Sequence, residues 1–166
     1  MKYENTERFV ANDITEATWL RLKRLSSSQL CKRIIEKNCI CLTPEVIEKK
    51  SIGMSSAIRS AFGYWYTKEG GLNSKILSRY YALLQITIAE QISSDDPKTD
   101  LTSVQKHTEY GHGLYTQRID VGTFPDNIMV GCLKSGHFYS YVKSSGFNIK
   151  DYADDSRPRN SEELSR

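Results

Sequence analysis

Apolar residues recur along this chain at helical spacing as far as Tyr110, and at shorter, alternating spacing beyond it. The most apolar stretch runs from Asn73 to Ile92. Ile76, Tyr80, Leu83 and Thr87 fall along one side of a helix drawn through it, and Leu77, Tyr81, Leu84 and Ile88 along the next. With them runs a row of smaller residues, Ser78, Ala82, Gln85 and Ala89, against which another helix can approach closely. A helix apolar over most of its circumference belongs in a core, and this one is too polar to cross a membrane. The pattern therefore predicts a central, buried helix over 73–93 around which the remaining elements are arranged.

Before it, Asp13 offers an N-cap to a helix over 14–25 that turns Ala17, Leu20 and Leu25 inward and carries Arg21, Lys23 and Arg24 in its last turn. The serines at 26–28 interrupt it, and a second helix over 28–38 follows with Leu30, Ile34 and Ile35 inward. Cys39-Ile40-Cys41-Leu42 reads as a buried connector. Thr43-Pro44-Glu45 combines a capping hydroxyl, a proline at the first helical position and an acid in the first turn. The helix it opens is expected over 44–68, loosened at Gly53, with a seam of Ile47, Met54, Ile58, Ala61, Phe62 and Trp65. Glu69-Gly70-Gly71 stops it, and so short a link makes the central helix return antiparallel.

A further helix is expected over 101–110. After Gly111-His112-Gly113-Leu114, strands are expected over 115–121, 128–133 and 137–142, separated by Pro125-Asp126-Asn127 and Lys134-Ser135-Gly136. The sum is one α+β, predominantly α domain over 1–150: an antiparallel helical core with a small C-terminal antiparallel β unit. Residues 151–166 read as a polar tail.

Composition narrows the function classes. A chain of 166 residues can bury a core without disulfide or metal staples. A formal charge of +3 does not oblige a nucleic-acid partner, and ten tyrosines point to half-exposed surfaces that touch something. The opening MKYENTERF is polar, so no leader is expected, and no window reaches the apolar length of a membrane span. The irregularly spaced Cys31, Cys39, Cys41 and Cys132 read as reduced thiols, which favours a cytoplasmic protein.

Candidate chemistry is sparse. Cys39 and Cys41 with His107 and His112 supply four zinc-ligand types, but the Cys-x-Cys spacing lacks the usual knuckle, so no metal and no cofactor is expected. Cys132, Ser135 and His137 flank a turn without an orienting group or oxyanion donors, and read as hairpin residues. His112 stands between Gly111 and Gly113, where the backbone can turn sharply; its structural reading is a pin for the helix-to-sheet turn. No Gly-x-x-x-x-Gly-Lys phosphate cradle occurs. Arg21, Lys23, Arg24, Lys32 and Arg33, continued by Lys37, Lys49 and Lys50, are offset only by Glu36, Glu45 and Glu48. They are the candidates for a weak, salt-sensitive contact with nucleic acid.

The series Ala57-Ile58-Arg59-x-Ala61-Phe62-x-Tyr64-Trp65, then Ser78-Arg79-Tyr80-Tyr81-Ala82-Leu83-Leu84, then Gly111-His112-Gly113-Leu114 resembles the bacterial YaaC-like proteins. That resemblance, over residues 49–114, implies two packed helices followed by a His-Gly turn and a β segment, and no particular activity. Ser78-Arg79-Tyr80-Tyr81-Ala82 is also similar to the second helix of HEPN-domain proteins, many of them ribonucleases of toxin and defence systems. Their Arg-then-His pair on one helix is missing here, since no histidine follows Arg79 on its helix. A helical module without that pair is expected to act as a binding part. The leading expectation is a non-catalytic adaptor bridging larger protein subunits of one bacterial intracellular complex, with no membrane contact, as with the small middle subunit beside an SMC-like ATPase and a nuclease in Lamassu-type defence. The alternatives are a HEPN-like ribonuclease using Arg79 with His107 or His112, and a small nucleic-acid-binding module.

Overall fold

A computed structural model describes residues 10–67, 70–109, 111–120 and 122–148, together with the backbone of 153–154. Among these, the elements run α1 (Ile14–Arg24), α2 (Ser28–Asn38), α3 (Pro44–Trp65), α4 (Leu72–Ile92), α5 (Leu101–Glu109), β1 (Leu114–Arg118), β2 (Ile128–Leu133), α6 (His137–Ser144) and β3 (Ala153–Asp154). The fold is α+β and predominantly α. The chain divides within α5, after Val104, into two compact units, where the pattern alone drew one domain.

The first unit is built on capped helices. Asp13, Ser27 and Thr43 each accept a backbone N–H of the first turn they precede, and Pro44 opens α3. At α5 the caps are reciprocal: Asp100 Oδ1 accepts from the Ser103 amide at 2.8 Å, and the Ser103 hydroxyl accepts from the Asp100 amide at 2.8 Å. Helices α3 and α4 run antiparallel. Lys50, near the start of α3, reaches the carbonyl of Ile92 at the end of α4, while Tyr64 and Trp65 at the other end meet Tyr81 and Arg79. Between them lies the core, where Ile35, Met54, Ile58, Ile88, Ile92 and Val104 are buried. Ala57 and Ala61 of α3 and Ala82 and Ala89 of α4 are buried too, so the small-residue row does mark the close approach. Gly53 is part of that approach. A Cβ there would lie 3.0 Å from Leu101 Cβ, and α3 passes through the position as a continuous helix without loosening.

Further expectations fail in this unit. The helix expected over 44–68 ends at Trp65, where Tyr66 caps it. Helix α4 is not buried all round: Ile76 and Leu83 are 59% and 55% exposed, and Leu77 is exposed as well. Two physical reasons apply. The last residues of α3 already pair with Arg79 and Tyr81, so the opening turns of α4, with Ile76 and Leu77, lie beyond the end of α3. Leu83, past those pairs, is open because it turns away from the buried Ile88 and Ile92. On α1, Trp19 occupies the core position and Leu20 is exposed. In the connector, Cys39 is buried, but Ile40 is 91% exposed and Cys41 faces solvent.

In the second unit, β1 and β2 are antiparallel, with Leu114 opposite Cys132 and Arg118 opposite Ile128. The strand expected over 137–142 is instead helix α6, and the third strand is the two-residue β3, parallel to β2 with Ala153 opposite Cys132. Phe138, Tyr139, Tyr141 and Val142 lean towards strand, but a tertiary contact overrides them. The amides of His137 and Phe138 donate to the carbonyls of Gly111 and His112 at 3.1 and 3.0 Å, which supplies the first turn of α6 with acceptors from outside the helix. The strand expected to reach 121 ends at Arg118, after which the chain turns out of the ladder. The helix end expected at 110 falls outside the described residues, as does the polar tail apart from the backbone of 153–154.

Candidate interaction face and histidine turn

The free end of the α3–α4 pair is organised by aromatic rings. Trp19 packs on Trp65 with ring centroids 4.1 Å apart and meets the edge of Phe62 at 5.2 Å. The Arg79 guanidinium lies 4.0 Å above the Trp65 ring, and its Nη1 donates to the Trp65 carbonyl. A cation thus sits over an electron-rich face and against a C-terminal carbonyl of α3, both favourable positions for it. Tyr81 stacks on Tyr64 at 5.4 Å and meets Tyr80 edge-on at 5.5 Å.

On the far side of α4 runs a second apolar stripe. Leu72, Ile76 and Leu83 are separated by four and seven residues, so they share one side of the helix, opposite the buried Ile88 and Ile92. Leu72 is the most open of the three, at 74% exposure. Lys75 and Arg79 flank the stripe, and α4 carries no acidic residue before Glu90. This helix is apolar on two opposite sides, and α3 covers only one of them.

At its other end α4 is anchored by a buried charge. Lys50 is 0% exposed, and its ammonium donates to the carbonyls of Ile92 and Ser94, both at 2.9 Å. These are orphan carbonyls at a helix C-terminus, where a cation is favoured by the helix dipole. Burial pushes the Lys50 ammonium below the ordinary lysine range, against the opposing pull of Cys39 and of Asp96, Asp100 and Asp95. The following loop is tied down by Asp96, which accepts from the Lys98 amide and the Thr99 hydroxyl, and by the ion pair of Lys49 with Asp100 at 2.5 Å. That pair and the Ser103 amide hold the Asp100 carboxyl down at about 2.

The second unit holds all three histidines of the chain. His137 is 3% exposed at the start of α6, with its ring parallel to that of Tyr141 at 6.5 Å. Burial, and then the neighbouring imidazoles of His112 and His107, push it down to about 4. The glycines make the packing possible. Gly136 has φ +87, and a Cβ on it would lie 2.6 Å from both the Gly111 carbonyl oxygen and the Gly113 nitrogen. Gly113 has φ +79, with the Ser135 carbonyl 2.7 Å from where its Cβ would be. His112 therefore contributes its backbone carbonyl as an acceptor for α6. A separate shallow groove of about 370 Å³ lies by the β1–β2 loop, lined by Thr116, Gln117, Arg118, Phe124, Asn127 and Ile128.

The residues singled out in the sequence are thus distributed. Arg79 belongs to the first unit and is engaged by Trp65, whereas His107 and His112 belong to the second. Among the basic candidates, Arg21, Lys23, Arg24 and Arg33 are exposed on α1 and α2, and Lys32 is paired with Glu48 at 2.8 Å. Lys50, read as one more surface charge, is buried. Its place was visible in the spacing, because 47, 50, 54 and 58 form one helical row through Ile47, Met54 and Ile58. Trp19 and Leu22 formed a similar row on α1. Nothing in the local pattern marked His137, whose burial follows from contacts with Gly111 and Gly113. Among the described residues, no three His, Cys, Asp or Glu side chains are grouped so as to hold a metal ion, and no helix is long and apolar enough to cross a membrane. Compared with protein-family models, curated proteins and solved structures, the chain matches none.

Proposed function

We propose that this chain is a non-catalytic adaptor subunit of a bacterial intracellular multi-protein complex, joining larger subunits through exposed apolar faces. One observation carries the reading: α4 presents Leu72, Ile76 and Leu83 to solvent on the side opposite its buried seam. Covering side chains of this size gains about 1.5–3 kcal/mol each, and a row of them left open on a small protein is the mark of a surface completed by something else. The second unit supports the bridging role with an exposed apolar set of its own, Phe124, Ile128, Met129 and Val130. The setting in anti-phage or anti-plasmid defence rests on the resemblance of Ser78–Ala82 to defence-associated helical modules, and is part of the proposal.

The test is purification of the tagged chain at native level from its own host, beside the double variant Ile76→Asp, Leu83→Asp. The wild-type chain is expected to carry one or more partners in fixed ratio and the variant to lose at least one of them. A wild-type chain that elutes as a monomer without any partner in fixed ratio refutes the reading.

A further inference from the structure

The charge around the outer stripe of α4 says what chemistry its occupant has. From Leu72 to Ala89 the helix carries Lys75 and Arg79 and no carboxylate. In α3 the last acidic residue is Glu48, so its half nearest this stripe contributes Arg59 and no acid. Arg79 is already directed against Trp65, which leaves Lys75 at the edge of the stripe as the cation best placed to meet an arriving group. The spacing of Leu72, Ile76, Arg79 and Leu83 alternates between four and three residues. That is the rhythm of a helix packed along another helix, with a cation at one position of the seam.

We infer that the outer face of α4 docks an amphipathic helix of a partner protein whose apolar seam is bordered by Glu and Asp. A second copy of this chain is the poorer fit. Two α4 helices laid together along this stripe bring the Lys75 of each to one like-charged, partly desolvated seam, with no carboxylate on either helix before Glu90 to offset it. An acidic helix reverses the sign: its carboxylates meet Lys75 at the rim, and its Leu or Ile side chains cover Leu72, Ile76 and Leu83. The inference rests on the reading of this face as an interaction surface and adds the chemistry of what covers it.

The experiment uses the full chain and two synthetic, fluorescein-labelled helical peptides of about three heptads. Both have Leu and Ile in the seam; one has Glu and the other Lys at every flanking position. Anisotropy titrations are run at low and high salt, with self-association followed by sedimentation of the unlabelled chain. The acidic peptide is expected to bind at least about tenfold more tightly than the basic one, with the gap shrinking as salt rises. Lys75→Glu should reverse the preference, and Ile76→Asp should abolish binding of both while leaving helix content unchanged. Equal binding of the two peptides, both lost in Ile76→Asp, overturns the charge inference and leaves the docking face standing. Self-association abolished by Ile76→Asp overturns it in favour of a second copy. Binding of neither peptide by the wild-type chain overturns the inference and the interaction face together.

Discussion

Lowering the pH from 7 to 4 should open the second unit, and His137 sets the scale. Its imidazole is held at about 4 against 6.5 in an exposed chain. Between those two values the unfolded chain takes up a proton that the folded chain refuses. The unfolded state then binds more protons, so stability falls as the pH falls. Above 6.5 neither state is protonated at this site and nothing is lost. The full displacement corresponds to about 3 kcal/mol, of which about 2 kcal/mol has been lost by pH 5. That is a large fraction of what a small unit can hold. His112 from the glycine turn and His107 from α5 both oppose a positive charge on the ring, and Tyr141, one turn along α6, lies parallel to it. The direct assay is a histidine-ring NMR titration, with hydrogen exchange at the amides of Leu133 and Phe138, which donate to Gly113 and His112, reporting local opening. Exchange corrected for its intrinsic pH dependence should accelerate between pH 6.5 and 4, and the acceleration should flatten in His137→Phe. His112→Gln removes one of the two imidazoles that push His137 down and should move the His137 titration upward. A His137 that titrates between 6 and 7 in the folded protein refutes the reasoning, because burial of the ring is its whole basis.

Other outcomes follow from the same geometry. The loss of Asp100's low-lying carboxylate belongs to a different window: its stabilising contribution is present above the ordinary 3.8 and disappears as the pH falls towards about 2. Circular dichroism and exchange should therefore show the second unit opening before the α5 cap of the first. Lys50→Ala should cost about 3 kcal/mol in a urea melt, because the Ile92 and Ser94 carbonyls lose their ammonium donor and a cavity remains. Lys50→Met should cost less, since it fills the space and relieves the burial of a charge. Gly136→Ala should cost at least about 2 kcal/mol in the second unit, through its positive φ and the backbone atoms its methyl would strike. The His137 ring should then titrate closer to 6.5, and an unchanged titration would show that the glycine turn does not hold it buried.

Helix positions were largely legible because their signals are local. Asp13, Ser27 and Thr43 cap the helices they precede, and the small row of Ala82 and Ala89 marks where α3 lies. What the pattern could not supply was which of two apolar sides of α4 is covered, since periodicity gives angles around a helix and not the end of its neighbour. The spacing did separate Lys50 from Lys49, since only Lys50 shares a helical row with Ile47, Met54 and Ile58, but the run of basic residues around both concealed it. The two are adjacent in sequence and face opposite environments, the first sealed under the end of α4 and the second exposed and paired with Asp100. The helix at 137–144 was hidden for another reason. Its start depends on acceptors from Gly111 and His112, about two dozen residues upstream, and alternation in His-Phe-Tyr-Ser-Tyr-Val outweighed any local cue. Of the candidate site residues, the Gly111–Gly113 turn was readable as structure, while the exposed stripe on α4 was mistaken for core because the same side chains serve either purpose.

That ambiguity can be resolved by charge scanning along α4, and the two sides of the helix should answer oppositely. Ala82 is 0% exposed against α3, so Ala82→Asp places a carboxylate in a site without room or partner. The cost should exceed about 3 kcal/mol and unfold much of the first unit. Ile76→Asp introduces the same group two turns earlier on the open side, where solvent and Lys75 are at hand, and its cost should stay within about 0.5–1 kcal/mol, mostly helix propensity. Thermal melts of both variants, read alongside peptide binding, separate a residue that holds the fold from one that holds a partner. If Ile76→Asp destabilises the isolated chain as severely as Ala82→Asp, the outer stripe is buried in solution by the chain itself, and α4 is a core helix on both sides with no face left for a partner.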